Sequence, residues 1–365
     1  MRIPFLDLTR QQREIEAEAA AALARVMAGG VFILGREVEA FEAEWARFCG
    51  VGAAASVNSG TDALALALNA SGAVRRGRQD EVITSPLTAA YTALAILNAG
   101  GTPVFADIDP HTYTLDPSAI EQAITPRTRA IVPVHLYGRM ADMAAICDVA
   151  ARYDLIVVED AAQAHGADIG GRRAGAHGTA AAFSFYPTKN LGACGDGGAV
   201  TSDDAALVER VKTLRQGGHA AALAVGIEGR NSRLDEIQAA LLRVKLPHLE
   251  KWNDWRRGLA KIYDETLRGT ILQLPSASEA HVYHLYVVRH PQRDHLRSHL
   301  AARGIETSIH YPYLLHQQPL FQQPSQRTLP VAENVAGKIL SLPLHSHLNE
   351  SEAREIARTI LDFIS

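Results

Sequence analysis

Apolar residues recur at steps of three and four along residues 35–48, where Val38, Phe41, Trp45 and Phe48 form one stripe. This spacing predicts an amphipathic helix, with a further long helix ahead of it. Beyond residue 52 the pattern changes. Short apolar runs, AAASV at 53–57, EVITS at 81–85, PVFAD at 103–107, RAIVPV at 129–134 and LIVVED at 155–160, alternate with helical segments. Strands that need a crossover helix between them imply a largely parallel sheet with helices on both faces, an α/β fold. Ser59 and Thr61 ahead of ALALALNA, and Asp116 ahead of Pro117, are helix-start signals. The loops after the strands then lie at carboxyl ends, where open α/β sheets bind ligands.

After about residue 245 the alternation stops. A Trp- and Arg-rich helix, KWNDWRRGLAKIY, is followed by a strand-like stretch at 282–289 and by helices near 293–303 and 350–363. This reads as a smaller α+β domain at 246–365 behind a larger one at 1–245 that includes the N-terminal helices. The 365 residues suit such a division. No repeat of about 20–50 residues and no low-complexity tract interrupts it.

Composition narrows the function classes. Forty acidic against 36 basic residues leave a net charge of −4, so no basic surplus points to nucleic acid. Cys49, Cys147 and Cys194 are odd in number, far apart and in no metal-ligand spacing, which fits a reducing cytoplasm and neither a disulfide framework nor a zinc site. The N-terminus reaches Asp7 and Arg10 before any apolar stretch suited to secretion. No window has the roughly 18 uninterrupted apolar residues of a membrane span.

Three segments at expected strand ends carry candidate chemistry. VVEDAAQAHGA at 157–167 ends a strand on Glu159 and Asp160. A carboxylate so placed can hold a protonated pyridine nitrogen, and an acidic pair there is equally ordinary loop chemistry. SFYPTKN at 184–190 fixes Lys189 in a tight turn behind Pro187, ahead of the glycine-rich GACGDGG. A lysine that forms an imine needs burial or cationic neighbours to lower its pKa, whereas most loop lysines are simply solvated. NSGTDAL at 58–64 offers backbone amides and hydroxyls at a helix N-terminus, a phosphate cradle or a plain N-cap. GVGAAA at 50–55 precedes a strand instead of following one, so a dinucleotide site is rejected.

Together, NSGTDAL, VVEDAAQAHG, SFYPTKN with GDGGAV, and GRNSRLDEIQAALLRVKL resemble, in order and spacing, the DegT/DnrJ/EryC1/StrS family of sugar aminotransferases. The likeness runs from PFLDL near the start to HVYHLYVVR at 281–289 and HYP at 310–312. It implies a pyridoxal phosphate (PLP) transferase of fold type I: a large domain with a mostly parallel central sheet flanked by helices, plus the smaller C-terminal α+β domain. Residue by residue, it makes Lys189 the imine-forming lysine, Asp160 the partner of the pyridine nitrogen and Gln163 the neighbour of the phenolic oxygen. Gly60, Thr61 and Ser184 would hold the phosphate, and Asn231 would reach it from the other subunit of a homodimer with shared active sites. Many family members stack an aromatic residue on the cofactor ring where this chain has Ala89; Tyr91 is the candidate substitute, against a place in the core.

The resemblance further implies ping-pong exchange through pyridoxamine phosphate. L-glutamate is the expected donor and a nucleotide-linked keto sugar, most of all a dTDP-3-keto-6-deoxyhexose, the expected acceptor. His310 and Tyr311 are candidate substrate contacts. A keto-cyclitol acceptor of the scyllo-inosose type is the alternative, and a non-catalytic sensor on the same fold is a third reading, which the presence of Lys189 opposes. Among Arg230, Arg233 and the other arginines, the residues alone do not select a grip for the donor carboxylate.

Overall fold

The computed structural model describes residues 2–219, 228–278, 280–322 and 328–364. Helices α1 (Leu8–Glu14), α2 (Glu16–Gly29) and α3 (Arg36–Cys49) lead to β1 (Ala53–Val57) and α4 (Gly60–Ala70). Then follow β2 (Glu81–Thr84), α5 (Ala90–Ala99), β3 (Thr102–Phe105), α6 (Pro117–Ala123), β4 (Thr128–Val132), α7 (Met143–Arg152) and β5 (Ile156–Asp160). A two-residue ribbon, β6 (Asp168–Ile169) with β7 (Arg172–Arg173), precedes β8 (Ala180–Ser184), β9 (Gly198–Ser202), α8 (Ala205–Leu214) and α9 (Glu236–Lys245). The remainder is α10 (Leu249–Leu267), β10 (Tyr286–Arg289), α11 (Arg293–Ala302), α12 (Pro330–Ala336), β11 (Ile339–Leu342) and α13 (Glu350–Ile364).

The seven-stranded sheet has the order β1-β9-β8-β5-β4-β2-β3. Neighbours from β8 to β3 pair in parallel, and β9 alone runs against its two partners. Alternate residues of the strands feed two separate cores. Ile83, Ile131, Val157 and Phe183 pack with α3 and α7, while Val82, Ala130, Val158 and Ala182 pack with α4, α5 and α8. The predicted stripe of α3 is buried as expected: Val38, Phe41 and Trp45 are inside, with Phe48 partly covered. A third core joins α10, α11, α13, β10 and β11.

Two expectations are corrected. The stretch 282–289 is a strand only from Tyr286, because Tyr283 has φ +44° and the amides of Val282 and Leu285 donate to Gly138 and Tyr137 instead of a ladder. The N-cap before α4 is Ser59, whose hydroxyl accepts from Asp62 N at 3.2 Å, which places Thr61 inside the first turn. Asp116 caps α6 as read, accepting from Ser118 N. Among the described residues no helix is long and apolar enough to cross a membrane.

Candidate active site

The carboxyl ends of β1, β5 and β8 form one rim. Ser184 ends β8 and pairs with Gly198 at the start of β9, so the intervening loop that carries Lys189 is closed at its base. Within it Lys189 N donates to Tyr186 O at 2.9 Å and Ala193 N to Phe185 O at 2.7 Å. Gly192 passes so close to Pro187 that a Cβ would lie 2.4 Å from the carbonyl oxygen, which is why this turn takes glycine. Lys189 is half-buried and, among the described residues, its amine has no hydrogen-bond partner. Burial lowers its pKa to about 8, with the negative charge of Asp160 acting in the opposite direction.

Asp160 is buried at the end of β5. Its Oδ2 accepts from Thr92 Oγ1 at 2.8 Å and its Oδ1 from Ala162 N at 3.2 Å. The single hydroxyl proton of Thr92 is thus used, so the 3.1 Å contact with Thr88 Oγ1 has Thr88 as donor. Gln163, also buried, accepts from Tyr137 N through Oε1 at 2.7 Å and donates from Nε2 to the Tyr311 hydroxyl at 3.0 Å. Burial, together with the charge of Asp160, pushes Tyr311 up to about 12 against the opposing Gln163 bond.

Imidazoles surround the lysine. His165 donates from Nε2 to Ser184 O at 2.9 Å, while His310 Nδ1 meets Ser341 Oγ at 2.9 Å and its ring stacks on Phe5. Burial first, and then the charge of Lys189, lowers His165 to about 3 and His310 to about 4, and drives His284 well below its usual value. They surround Lys189 as neutral rings.

At the third corner, Gly60 begins α4. A Cβ there would stand 2.6 Å from that of Ser184, so only glycine lets the helix start this close to β8. The amides of Gly60 and Thr61 lie in the first turn, where no intrahelical carbonyl can receive them, and they suit a phosphate. This cradle, the unpartnered amine and the buried carboxylate fit a phosphorylated pyridine aldehyde.

The sequence-derived residues Gly60, Thr61, Asp160, Gln163, Ser184 and Lys189 are therefore all placed on this rim. His310 and Tyr311 reach it from the C-terminal part. Asn231 is exposed and its side chain has no hydrogen bond among the described residues. Tyr91 is 66% exposed, so it does not pack in the core. Arg230 is engaged with Asp62 at 2.8 Å and with Asn98 O at 3.0 Å. Thr92, Thr88, Tyr137, His165 and His284 escaped the sequence reading. The i, i+4 pair of threonines beside Ala89 was the one available signal, and it gives no hint of the strand it meets.

Fold and rim together define a PLP-dependent aminotransferase. Residues 13–361 match the model of the DegT/DnrJ/EryC1/StrS aminotransferase family, and the chain belongs to that family. It is 47% identical to a dTDP-3-amino-3,4,6-trideoxy-alpha-D-glucose transaminase of Streptomyces venezuelae, over 99% of this chain and 96% of that one. It is 44% identical to a UDP-N-acetyl-3-dehydro-alpha-D-glucosamine 3-aminotransferase of Acidithiobacillus ferrooxidans, over 98% and 97% of the two chains. The crystal structure of S. venezuelae DesV with a ketimine intermediate superposes with a TM-score of 0.96, covering 100% of this chain and 99% of that one at 47% identity.

Proposed function

We propose that this protein transfers an amino group from L-glutamate to the keto group of a nucleotide-linked sugar, a dTDP-3-keto-6-deoxyhexose, in amino-sugar biosynthesis. The observation that carries the reading is the Lys189 amine, lowered to about 8 and left without a hydrogen bond beside the buried carboxylate of Asp160. An amine poised near neutrality can act as nucleophile and as general base. The similarity to the S. venezuelae dTDP-sugar transaminase supports the acceptor.

When bound, PLP supplies an electron sink for a carbanion beside nitrogen. Gly60, Thr61 and Ser184 would hold its phosphate, Asp160 its ring nitrogen and Gln163 its phenolic oxygen. Lys189 would attach it and move the proton at the donor carbon. Asp160, with Thr92 donating to one oxygen and Ala162 to the other, keeps its charge fixed in place. Tyr311 and His310, from the smaller domain at 246–365, bound the acceptor side of the larger domain at 1–245. A homodimer with Asn231 entering the partner's site completes the reading, in a reducing cytoplasm where Cys49, Cys147 and Cys194 stay unpaired.

The test begins with the absorbance spectrum of purified protein plus PLP. A visible band that is lost on adding L-glutamate, and never forms in Lys189→Ala, is expected. A panel of dTDP- and UDP-linked keto sugars and scyllo-inosose follows. Turnover of the cyclitol alone would sink the sugar assignment, and a wild type without the band would leave the sensor.

A further inference from the structure

Asn253 is fully buried on α10, and its amide joins two loops of the rim. Nδ2 donates to His165 O at 2.8 Å, in the loop that follows Asp160, while Oδ1 accepts from Asn190 Nδ2 at 2.9 Å, in the loop that carries Lys189. Asn190, the residue after the lysine, is itself buried, and its second amide hydrogen goes to Val282 O at 3.0 Å. Because a carbonyl can only accept, the orientation of both amides is fixed: turning either one over would set oxygen against oxygen. Asn190 Oδ1 is left to receive His284 Nδ1 at 3.2 Å, so that neutral ring carries its proton on Nδ1.

The bridge reaches further on each side. The buried ring of His165 donates to Ser184 O, the backbone of a residue suited to the phosphate. One turn along α10, Arg256 donates to the carbonyls of Tyr283, His284 and Leu344 at 3.1, 3.4 and 3.1 Å, the first two directly following the Val282 carbonyl that receives Asn190. Trp252, next to Asn253, ties the same helix to the N-terminal part through its Nε1 bond to Glu14 at 3.0 Å. Of the buried residues of α10, Asn253 and Arg256 stand out as polar at i and i+3 among aliphatic and aromatic ones. A buried amide is costly unless its hydrogen bonds are made, so a position that needed only packing would be filled more cheaply by leucine.

The cofactor gives the bridge a purpose. Lys189 would attach the aldehyde carbon and Asp160 would meet the ring nitrogen, and these two residues stand on different loops. A rigid ring spans both only if the loops keep their spacing.

We propose that Asn253 is a positioning residue, whose amide holds the Lys189 loop and the loop after Asp160 at the separation the cofactor ring requires and keeps the lysine amine in its dry setting. The proposal rests on the aminotransferase reading above.

Asn253→Ala, which deletes both arms of the bridge, should lower kcat roughly 10- to 100-fold with the KM of L-glutamate and of the keto sugar nearly unchanged, the scale of a displaced reacting group. A second measurement needs no turnover. The pH midpoint for PLP uptake by the cofactor-free chain, set near 8 by the buried Lys189 amine, should rise by about one pH unit towards the ordinary 10.5, because a loosened loop admits water. The ionisable groups that act on that amine are Asp160, His165, His284 and His310, and the three rings stay neutral across this range. Asn190→Ser breaks the same bridge from the other loop and should move the midpoint the same way. Tyr263→Phe is the control: it removes the buried hydrogen bond to Pro343 O from the same helix, and should lower the thermal midpoint without moving the pH midpoint. An unmoved pH midpoint in Asn253→Ala, an equal shift in Tyr263→Phe, a loss confined to KM, or failure of both asparagine variants to fold would each overturn the proposal. Failure of the aminotransferase reading is seen separately, as a wild type without the visible band.

Discussion

The loop cluster beneath Glu159 and the rim around Asp160 lie on opposite faces of the end of β5, and they treat a buried carboxylate in opposite ways. Glu159 has all its acceptor capacity in use. Oε2 receives His135 Nε2 at 2.8 Å and Gly175 N at 2.9 Å, and Oε1 receives the amides of His177 and Gly178, both at 2.7 Å. Because Ala141 N donates to His135 Nδ1, the proton of that ring sits on Nε2 and points at Glu159. These donors hold the carboxyl group below its usual pKa although burial acts to raise it. Among the described residues Asp160, one residue on, receives only Thr92 and Ala162, which leaves acceptor capacity unused on a carboxylate whose charge acts on Lys189. A saturated carboxylate builds structure, and an unsaturated one beside an unpartnered amine is available for chemistry.

The sharpest way to break the comparison is to exchange the roles. Lys189→Ala should lower amino transfer by roughly 100- to 10,000-fold, the range for a lost general base, and should remove the cofactor's visible band. Asp160→Asn should cost roughly 100- to 1000-fold in kcat with the thermal midpoint nearly unchanged, because only a charge facing the reacting groups is deleted. Glu159→Gln should do the reverse. An amide nitrogen would meet donors already in place, with a loss of about 3 kcal/mol in denaturant unfolding and near-normal turnover per folded molecule. If Glu159→Gln instead lost activity without stability, the contrast between the two faces would be wrong.

How far the sequence alone reaches follows the same division. Hydrophobic period placed β1 at its observed bounds and β2 to β5 within a residue or two, since strands buried on both faces read as apolar runs. It did not single out the reversal of β9, because antiparallel pairing with β1 and β8 is decided by tertiary contacts and not by pattern. Lys189, Asp160 and Gln163 were legible through the motifs that carry the resemblance. Their supports were not: Thr92 meets Asp160 across 68 positions and Tyr311 meets Gln163 across 148, and local sequence holds no record of such pairings. The expectation for 282–289 failed where Tyr283 adopts positive φ, a conformation no propensity assigns to tyrosine.

Two smaller effects sharpen the picture of the rim. Cofactor-free protein should take up PLP about 10-fold faster at pH 9 than at pH 7, because the Lys189 amine loses its proton near 8 and not near 10.5 as an ordinary lysine does. The sign for stability is the same. The unfolded chain holds more protons on this group between pH 8 and 10.5, so its cost to the folded state falls as pH rises through that window. A stopped-flow pH profile with its midpoint near 10.5 would remove the poised amine from the argument.

Thr92→Val should have the mildest consequence. The methyl replaces the hydroxyl at equal volume but cannot donate to Asp160 Oδ2, and it leaves the Thr88 hydroxyl without its acceptor. Losing one hydrogen bond to a carboxylate that still has Ala162 should lower kcat about 3- to 10-fold, with the donor's half-saturation unchanged. Thr88→Val should cost less, since Thr88 touches the carboxylate only through Thr92, and the double variant should resemble Thr92→Val alone. Additive losses in that cycle would mean that the two threonines act independently, so that the chain of donors running from α5 into Asp160 is not one unit.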